Sequence, residues 1–240
     1  MFNPNPNSLN HKVAAEPLPK VEVHESFHPD QINASHIDIP ACQHARAILE
    51  DVWESQTRLN EIRTQPNTNI TRDAYLSDYM AKAERVHVEL GSKLHKATMA
   101  IAESKKDARD ALLTAVGLRE DDHSSEIRSV LRSMSPQDRD KVIIEAMAKR
   151  DKKTLAAAFL GPGIITGLSS AQAAALYDAY AKKEAPDHWQ RFQAIDAAKT
   201  KLETANNRFP GSMVNYFEDT PAFEKKRRAY KAIKASYEDA

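Results

Sequence analysis

The chain has 240 residues with 34 basic and 34 acidic side chains, so no strong overall field draws it to nucleic acid or to an anionic membrane. Charged residues make up 28% and aromatics 7%, with only six glycines, a balance that favours helices over a β-sandwich or barrel. A single cysteine, Cys42, excludes an internal disulfide and a cysteine-rich zinc site.

The chain opens "MFNPNPNSLN", which lacks a basic stretch followed by an apolar run, so no secretory signal is expected. No later stretch is apolar for long enough to suggest a membrane span. Residues 1–40 hold Pro4, Pro6, Pro17, Pro19, Pro29 and Pro40 and no glycine. Proline fixes its own backbone and biases the preceding residue to extended geometry, so this segment reads as a stiff, extended arm. Within it "PLPKVEVHE" alternates Val21 and Val23 with polar residues, a strand-like pattern. Val21, Val23 and Phe27 are its expected partner-binding residues, and "VEV" is suited to pairing with an edge strand of a neighbour.

Helical periodicity begins after Pro40. "ACQHARAILEDVWESQTRLNEIR" carries Ile48, Val52, Leu59 and Ile62 on one face, and "TQPNTN" breaks it. Thr71 is the expected cap of the next helix, with Asp73 in its first turn. From there Tyr75, Tyr79, Ala83, Val86, Leu90, Leu94, Ala97, Ile101, Ala108 and Leu112 follow at steps close to a heptad seam, as in a coiled coil. About 45 residues at 1.5 Å each give a helix roughly 65 Å long, with Gly91 as its weak point. Such a stripe needs the preceding helix as an antiparallel partner, other subunits, or both. Gly117 is the expected stop.

A second run of shorter helices follows. "SSEIRSVLRSM" is amphipathic through Ile127, Val130 and Leu131. Ser135, Pro136 and Asp138 form a strong start signal for the next helix. "KKTLAAAFLG" and "SSAQAAALYDAYAKKEA" flank a corner. Pro186 starts a helix with Trp189, Phe192, Ile195 and Leu202 on its face. "PGSMVNYFED" reads as a loop, and Thr220 with Pro221 opens a last helix. The predicted fold is all-α: residues 1–40 an extended proline-rich N-terminal arm, 41–117 a long antiparallel helical hairpin, and 118–240 a bundle of shorter helices.

The corner "AAAFLGPGIITGLSS", residues 156–170, concentrates glycine and so invites a phosphate-loop reading. A phosphate loop needs a lysine after its last glycine, whereas Gly167 is followed by Leu168, Ser169 and Ser170. A dinucleotide fingerprint needs a preceding strand, whereas "TLAAAF" is helix-forming. The corner therefore reads as a helix stop at Gly161 and Pro162 and a restart capped by Ser169 or Ser170. Ile164, Ile165 and Leu168 are expected to pack beneath it. An anion at the N-terminus of the following helix is the remaining chemical use.

Glu-x-x-His occurs at Glu84/His87 and Glu120/His123, the spacing of carboxylate-bridged di-iron bundles, but the further glutamates of such a site are missing. His24 and His28 lie in the arm, and Cys42 and His44 point apart on a helix. No nucleophile elbow or triad spacing stands out. The expectation is no catalytic residue, no cofactor and no metal site. Near the C-terminus, Lys225, Lys226, Arg227, Arg228 and Lys231 lie among aromatics, a pattern able to touch nucleic acid.

Residues 124–186 contain Glu126-Ile127-Arg128, Ser135-Pro136, Arg150-Asp151, Leu160-Gly161-Pro162 and Gly167-Leu168-Ser169 in order. This stretch, about a quarter of the chain, resembles helical proteins from the structural gene clusters of tailed bacteriophages. The resemblance implies a virion or assembly component and carries no catalytic residues. The expected function is thus a non-enzymatic structural protein of a bacteriophage particle, such as its capsid, located in the virion and in the host cytoplasm during assembly. It would act by oligomerising and by laying its arm on neighbouring subunits and other virion proteins, without membrane or small-molecule substrate. The alternative is a helical protein that contacts nucleic acid through its basic C-terminal helix.

Overall fold

The computed structural model describes residues 17–36, 38–66, 69, 72–161 and 163–217, the side chains of Asp73 and Ile164 excepted. Among them every regular element is helical. Three single-turn 3₁₀ segments, Glu25–Phe27, Pro29–Gln31 and Ala34–His36, precede α1 (Pro40–Thr64), α2 (Arg72–Val116), α3 (Ser124–Ser133), α4 (Pro136–Lys149), α5 (Lys152–Leu160), α6 (Gly163–Thr166), α7 (Ser170–Glu184) and α8 (Pro186–Val214). The fold is all-α, with no strand among the described residues. None of the helices described is long and apolar enough to cross a membrane.

The chain divides into two compact units. Of the described residues, one holds those up to Met99 and those from Thr200 onward; the other holds those within Ala100–Lys199. The division falls inside α2 and α8.

In the first unit, Pro40 takes the first position of α1, where its missing N–H costs nothing. The carbonyls at the other end of α1 lack helical partners, and Tyr75 supplies one: its hydroxyl donates to Arg63 O at 2.7 Å and Ile62 O at 3.0 Å. Further along, Lys93 pairs with Asp51 at 2.7 Å. The seam read from the sequence is buried at Tyr75, Tyr79, Ala83, Leu90, Leu94 and Ala97; Val86 is only half-buried.

The expected loop after Phe209 is instead helix, for α8 runs through Pro210 to Val214. A proline inside a helix costs ~3 kcal/mol. Phe209, Met213 and Tyr216 follow at steps of 4 and 3 and are all almost fully buried. Each such burial contributes about 1.5–3 kcal/mol, so packing outweighs the proline.

In the second unit α5 is central, and α3, α4, α6 and α7 all pack against it. Its buried face is Leu155, Ala156, Ala157 and Ala158, small enough for close helix approach. Leu112, Leu131, Ile143, Leu168 and Tyr180 complete the core. The starts are capped locally. Ser135 Oγ accepts Asp138 N–H at 3.2 Å at the head of α4. Asp151 accepts from Thr154 N–H and from the Thr154 hydroxyl, and the latter bond chiefly holds its carboxyl below the ordinary range. Ser169 and Gln172 form a reciprocal capping box on α7.

Candidate functional site

The glycine-bearing corner joins α5, the single turn of α6 and α7. Gly167 sits at φ +75°, in left-handed backbone that glycine adopts without strain. Leu168 is buried beneath the corner, but Ile165 is exposed at 40%, contrary to expectation. A four-residue α6 has too little surface to bury every apolar side chain it carries.

Two arginines face this corner, and both address its main chain. Arg139 is buried, and its guanidinium donates to Leu131 O at 2.8 Å, Met134 O at 3.1 Å and Gly167 O at 2.5 Å. Leu131 and Met134 lie at the C-terminal end of α3, where carbonyl dipoles favour a cation. Arg128 donates to Ala157 O at 3.0 Å, pairs with Glu120, and lies where a side chain on Gly161 would fall. These guanidiniums thus bind α3, α5 and the corner to one another through carbonyl oxygens.

Beside the corner is a recess of about 530 Å³, lined among others by Arg109, Leu113, Phe159, Tyr177, Phe192 and Asp196. The Tyr177 hydroxyl is buried and makes no hydrogen bond. Burial, opposed by Arg109 and reinforced by Asp178, pushes it up to about 12. Near neutrality this phenol stays protonated and cannot act as a base. Asp196 is occupied by Lys105 at 2.5 Å, and Asp178 accepts from Trp189 Nε1 at 3.4 Å.

The Glu-x-x-His pairs belong to different units, Glu84 and His87 to the first and Glu120 and His123 to the second. His87 lies stacked on Phe209 with ring centroids 5.7 Å apart, and burial lowers its pKa against the opposing effect of Glu84. Glu120 is taken by Arg128, and His123 lies 3.5 Å from Glu126. Among the described residues no group of three or more His, Cys, Asp or Glu side chains could hold a metal ion.

The most developed recognition geometry lies in the first unit. Residues 17–36 form no strand; they run back along α1 as a strap. Val21 is buried, Val23 half-buried, and Phe27 fully buried against Phe209 with centroids 6.2 Å apart. Gln56, Asn60 and Arg63 of α1 are buried with them. Asn60 Oδ1 accepts Val21 N–H at 2.9 Å and Nδ2 donates to Val21 O at 2.6 Å. Arg63 O accepts Leu18 N–H at 2.9 Å, and the Arg63 guanidinium donates to Pro19 O and, at 3.1 Å, to Tyr216 O. Polar side chains here do what a neighbouring strand would do, which is why the alternating "VEV" needs no sheet.

The outer half of the strap is held by Arg46, which donates to Asp30 at 2.8 Å and Ile32 O at 3.2 Å, and by Lys201, which donates to Gln31 at 3.1 Å. His28 Nδ1 caps the second 3₁₀ turn through Asp30 N–H. Arg208 Nη1 lies 2.5 Å from His24 Nε2. On the other side of the ring, His24 Nδ1 accepts Ser26 N–H at 3.0 Å and so caps the first 3₁₀ turn.

The sequence leads one to expect Val21, Val23 and Phe27 to bind a partner; Val21 and Phe27 are buried within the chain itself, where Asn60 and Arg63, which sequence reasoning missed, hold their segment. Asn60 and Arg63 are polar and carry no hydropathy signal, although their positions continue the stripe of Ile48, Val52 and Leu59. The basic residues Lys225, Lys226, Arg227, Arg228 and Lys231 lie outside the described residues. Compared with known protein families, curated proteins and solved structures, the chain matches none.

Proposed function

We propose that this chain is a non-enzymatic structural protein of a bacteriophage particle, working through oligomerisation and an N-terminal segment that contacts neighbouring subunits. The observation that carries the reading is the buried pair Asn60 and Arg63, which grips an extended segment by its main chain.

Two further features support it. α2 has 45 residues and a nearly continuous buried seam, suited to a rod-like element in an assembly. The finer architecture we infer is a long antiparallel hairpin of α1 and α2 followed by a bundle of shorter helices. The Tyr75–Arg63 and Lys93–Asp51 contacts run in the sense such a hairpin requires. The residue pattern over 124–186, similar to phage structural proteins, supplies the setting.

The reading is tested by native mass spectrometry of the purified chain and by its incorporation into gradient-purified particles. It requires a defined oligomer, and it requires that deletion of residues 1–40 abolish incorporation. A stable monomer whose deletion variant still enters particles would exclude it.

A further inference from the structure

We propose that the strip formed by Arg46, Asn60, Arg63, Lys201 and Phe209 is a receptor for residues 17–32 of a second copy of this chain, so that the segment is exchanged between subunits. The inference rests on the oligomer reading above and gives that reading a site.

The strap is held as a bound peptide would be. Its internal main-chain bonds are single 3₁₀ turns such as Phe27 N–H to His24 O and His28 N–H to Glu25 O. Its anchoring bonds reach Asn60 and Arg63 on α1 and Lys201 and Arg208 on α8. Several of them address backbone atoms, and the apolar anchors Leu18, Val21, Phe27 and Ile32 are buried. None of these contacts depends on the segment being joined to the α1 on which it lies.

The geometry permits exchange. The strap meets α1 at Arg46 and leaves it at Arg63, covering about 26 Å of helix. Seven residues, 33–39, separate Ile32 from Pro40. Extended, they reach about 25 Å, more than twice the width of a helix. Exchange reproduces every contact the strap makes within one chain, so the choice between the two is set by local concentration and the cost of straightening the connection. A particle that crowds many copies of the chain favours exchange.

Lys201 Nζ lies 3.1 Å from Gln31 Oε1, so this pair reports where the strap is docked. In a Cys42→Ala background, full chains carrying Gln31→Cys and a first tag are coexpressed with full chains carrying Lys201→Cys and a second tag. They are then treated with a short bis-maleimide. The expected product is a covalent dimer bearing both tags. A chain carrying both cysteines serves as the control for docking. If that control links internally, native mass spectrometry shows an oligomer, and the mixture yields no two-tag dimer, exchange is overturned while the assembly reading stands. A monomer at every concentration overturns both.

Discussion

The carboxamide of Asn60 takes both main-chain groups of Val21, accepting its N–H at 2.9 Å and donating to its carbonyl at 2.6 Å. An asparagine side chain has the same donor and acceptor as a peptide group, so this pair is one rung of a ladder built from a helix side chain. It explains how a segment with strand-like alternation is held without a sheet. The same Asn60 Nδ2 lies 3.3 Å from Tyr216 Oη, which ties the rung to the residues after α8.

Asn60→Leu should therefore release the strap. The substitution leaves two buried main-chain groups unmet, each worth about 1–3 kcal/mol, which favours detachment over a strained docked state. Hydrogen exchange followed by mass spectrometry should show faster exchange in residues 17–32, with the amides of α2 unchanged. Unaltered protection of the strap would show that Asn60 does not hold it.

The legible parts of this protein are those where one apolar period dominates. The α2 seam from Tyr75 to Leu112 was readable because each step buries a side chain, with Val86 alone half-covered. The start of α4 was readable because Ser135, Pro136 and Asp138 act locally. What escaped was decided by tertiary packing. Pro210 reads as a break, yet Phe209, Met213 and Tyr216 hold α8 together around it. The grip of Asn60 and Arg63 escaped because hydropathy counts polar groups as exposed; its trace is their position on the α1 stripe. The corner at 156–170 was readable as stop and restart, but Arg128 and Arg139, which fasten it, come from other helices and leave no local signature.

Two glycines should respond in opposite directions to alanine. At Gly167 the backbone is left-handed, and an added Cβ would lie 2.7 Å from Arg139 Cζ. The conformational penalty alone is about 1–2 kcal/mol, and the displaced guanidinium adds to it. At Gly91, inside α2, an added Cβ would meet the Phe209 ring at an ordinary 3.5 Å. Helix propensity then favours alanine by ~1 kcal/mol. Urea denaturation should show Gly167→Ala destabilised and Gly91→Ala stabilised; shifts of the same sign would contradict this account.

Arg139 should be intolerant even of a long apolar replacement. Its side chain reaches Leu131 O, Met134 O and Gly167 O together. Hydrogen bonds from a charged donor contribute about 1.5–3 kcal/mol each, and those sharing one side chain are lost together. Arg139→Met is expected to cost roughly 3 kcal/mol or more, and Arg139→Lys to recover only part, since an ammonium lacks the planar fork. Fluorescence of Trp189, packed on the same core, can report the denaturation midpoint. A methionine variant as stable as the parent would remove Arg139 from this role.

His87 gives the protein a defined pH response. Its ring is half-buried and stacked on Phe209, with Phe217 at 6.4 Å, and burial lowers its pKa below the ordinary 6.5 while Glu84 pulls it back. An unfolded chain takes up the proton as pH falls through about 6.5, whereas the folded chain resists until lower pH. The unfolded state thus binds more protons in that window. Stability is full above the window, falls as pH drops through it, and levels off below the depressed folded value. The informative quantity is the difference between the parent and His87→Phe, which keeps an aromatic ring on Phe209. Measured by hydrogen exchange of the α8 amides around Phe209, the variant should lose the part of the slope below about pH 6.5 that belongs to this ring. Parallel pH curves for the two chains would show that the proton on His87 is not coupled to folding.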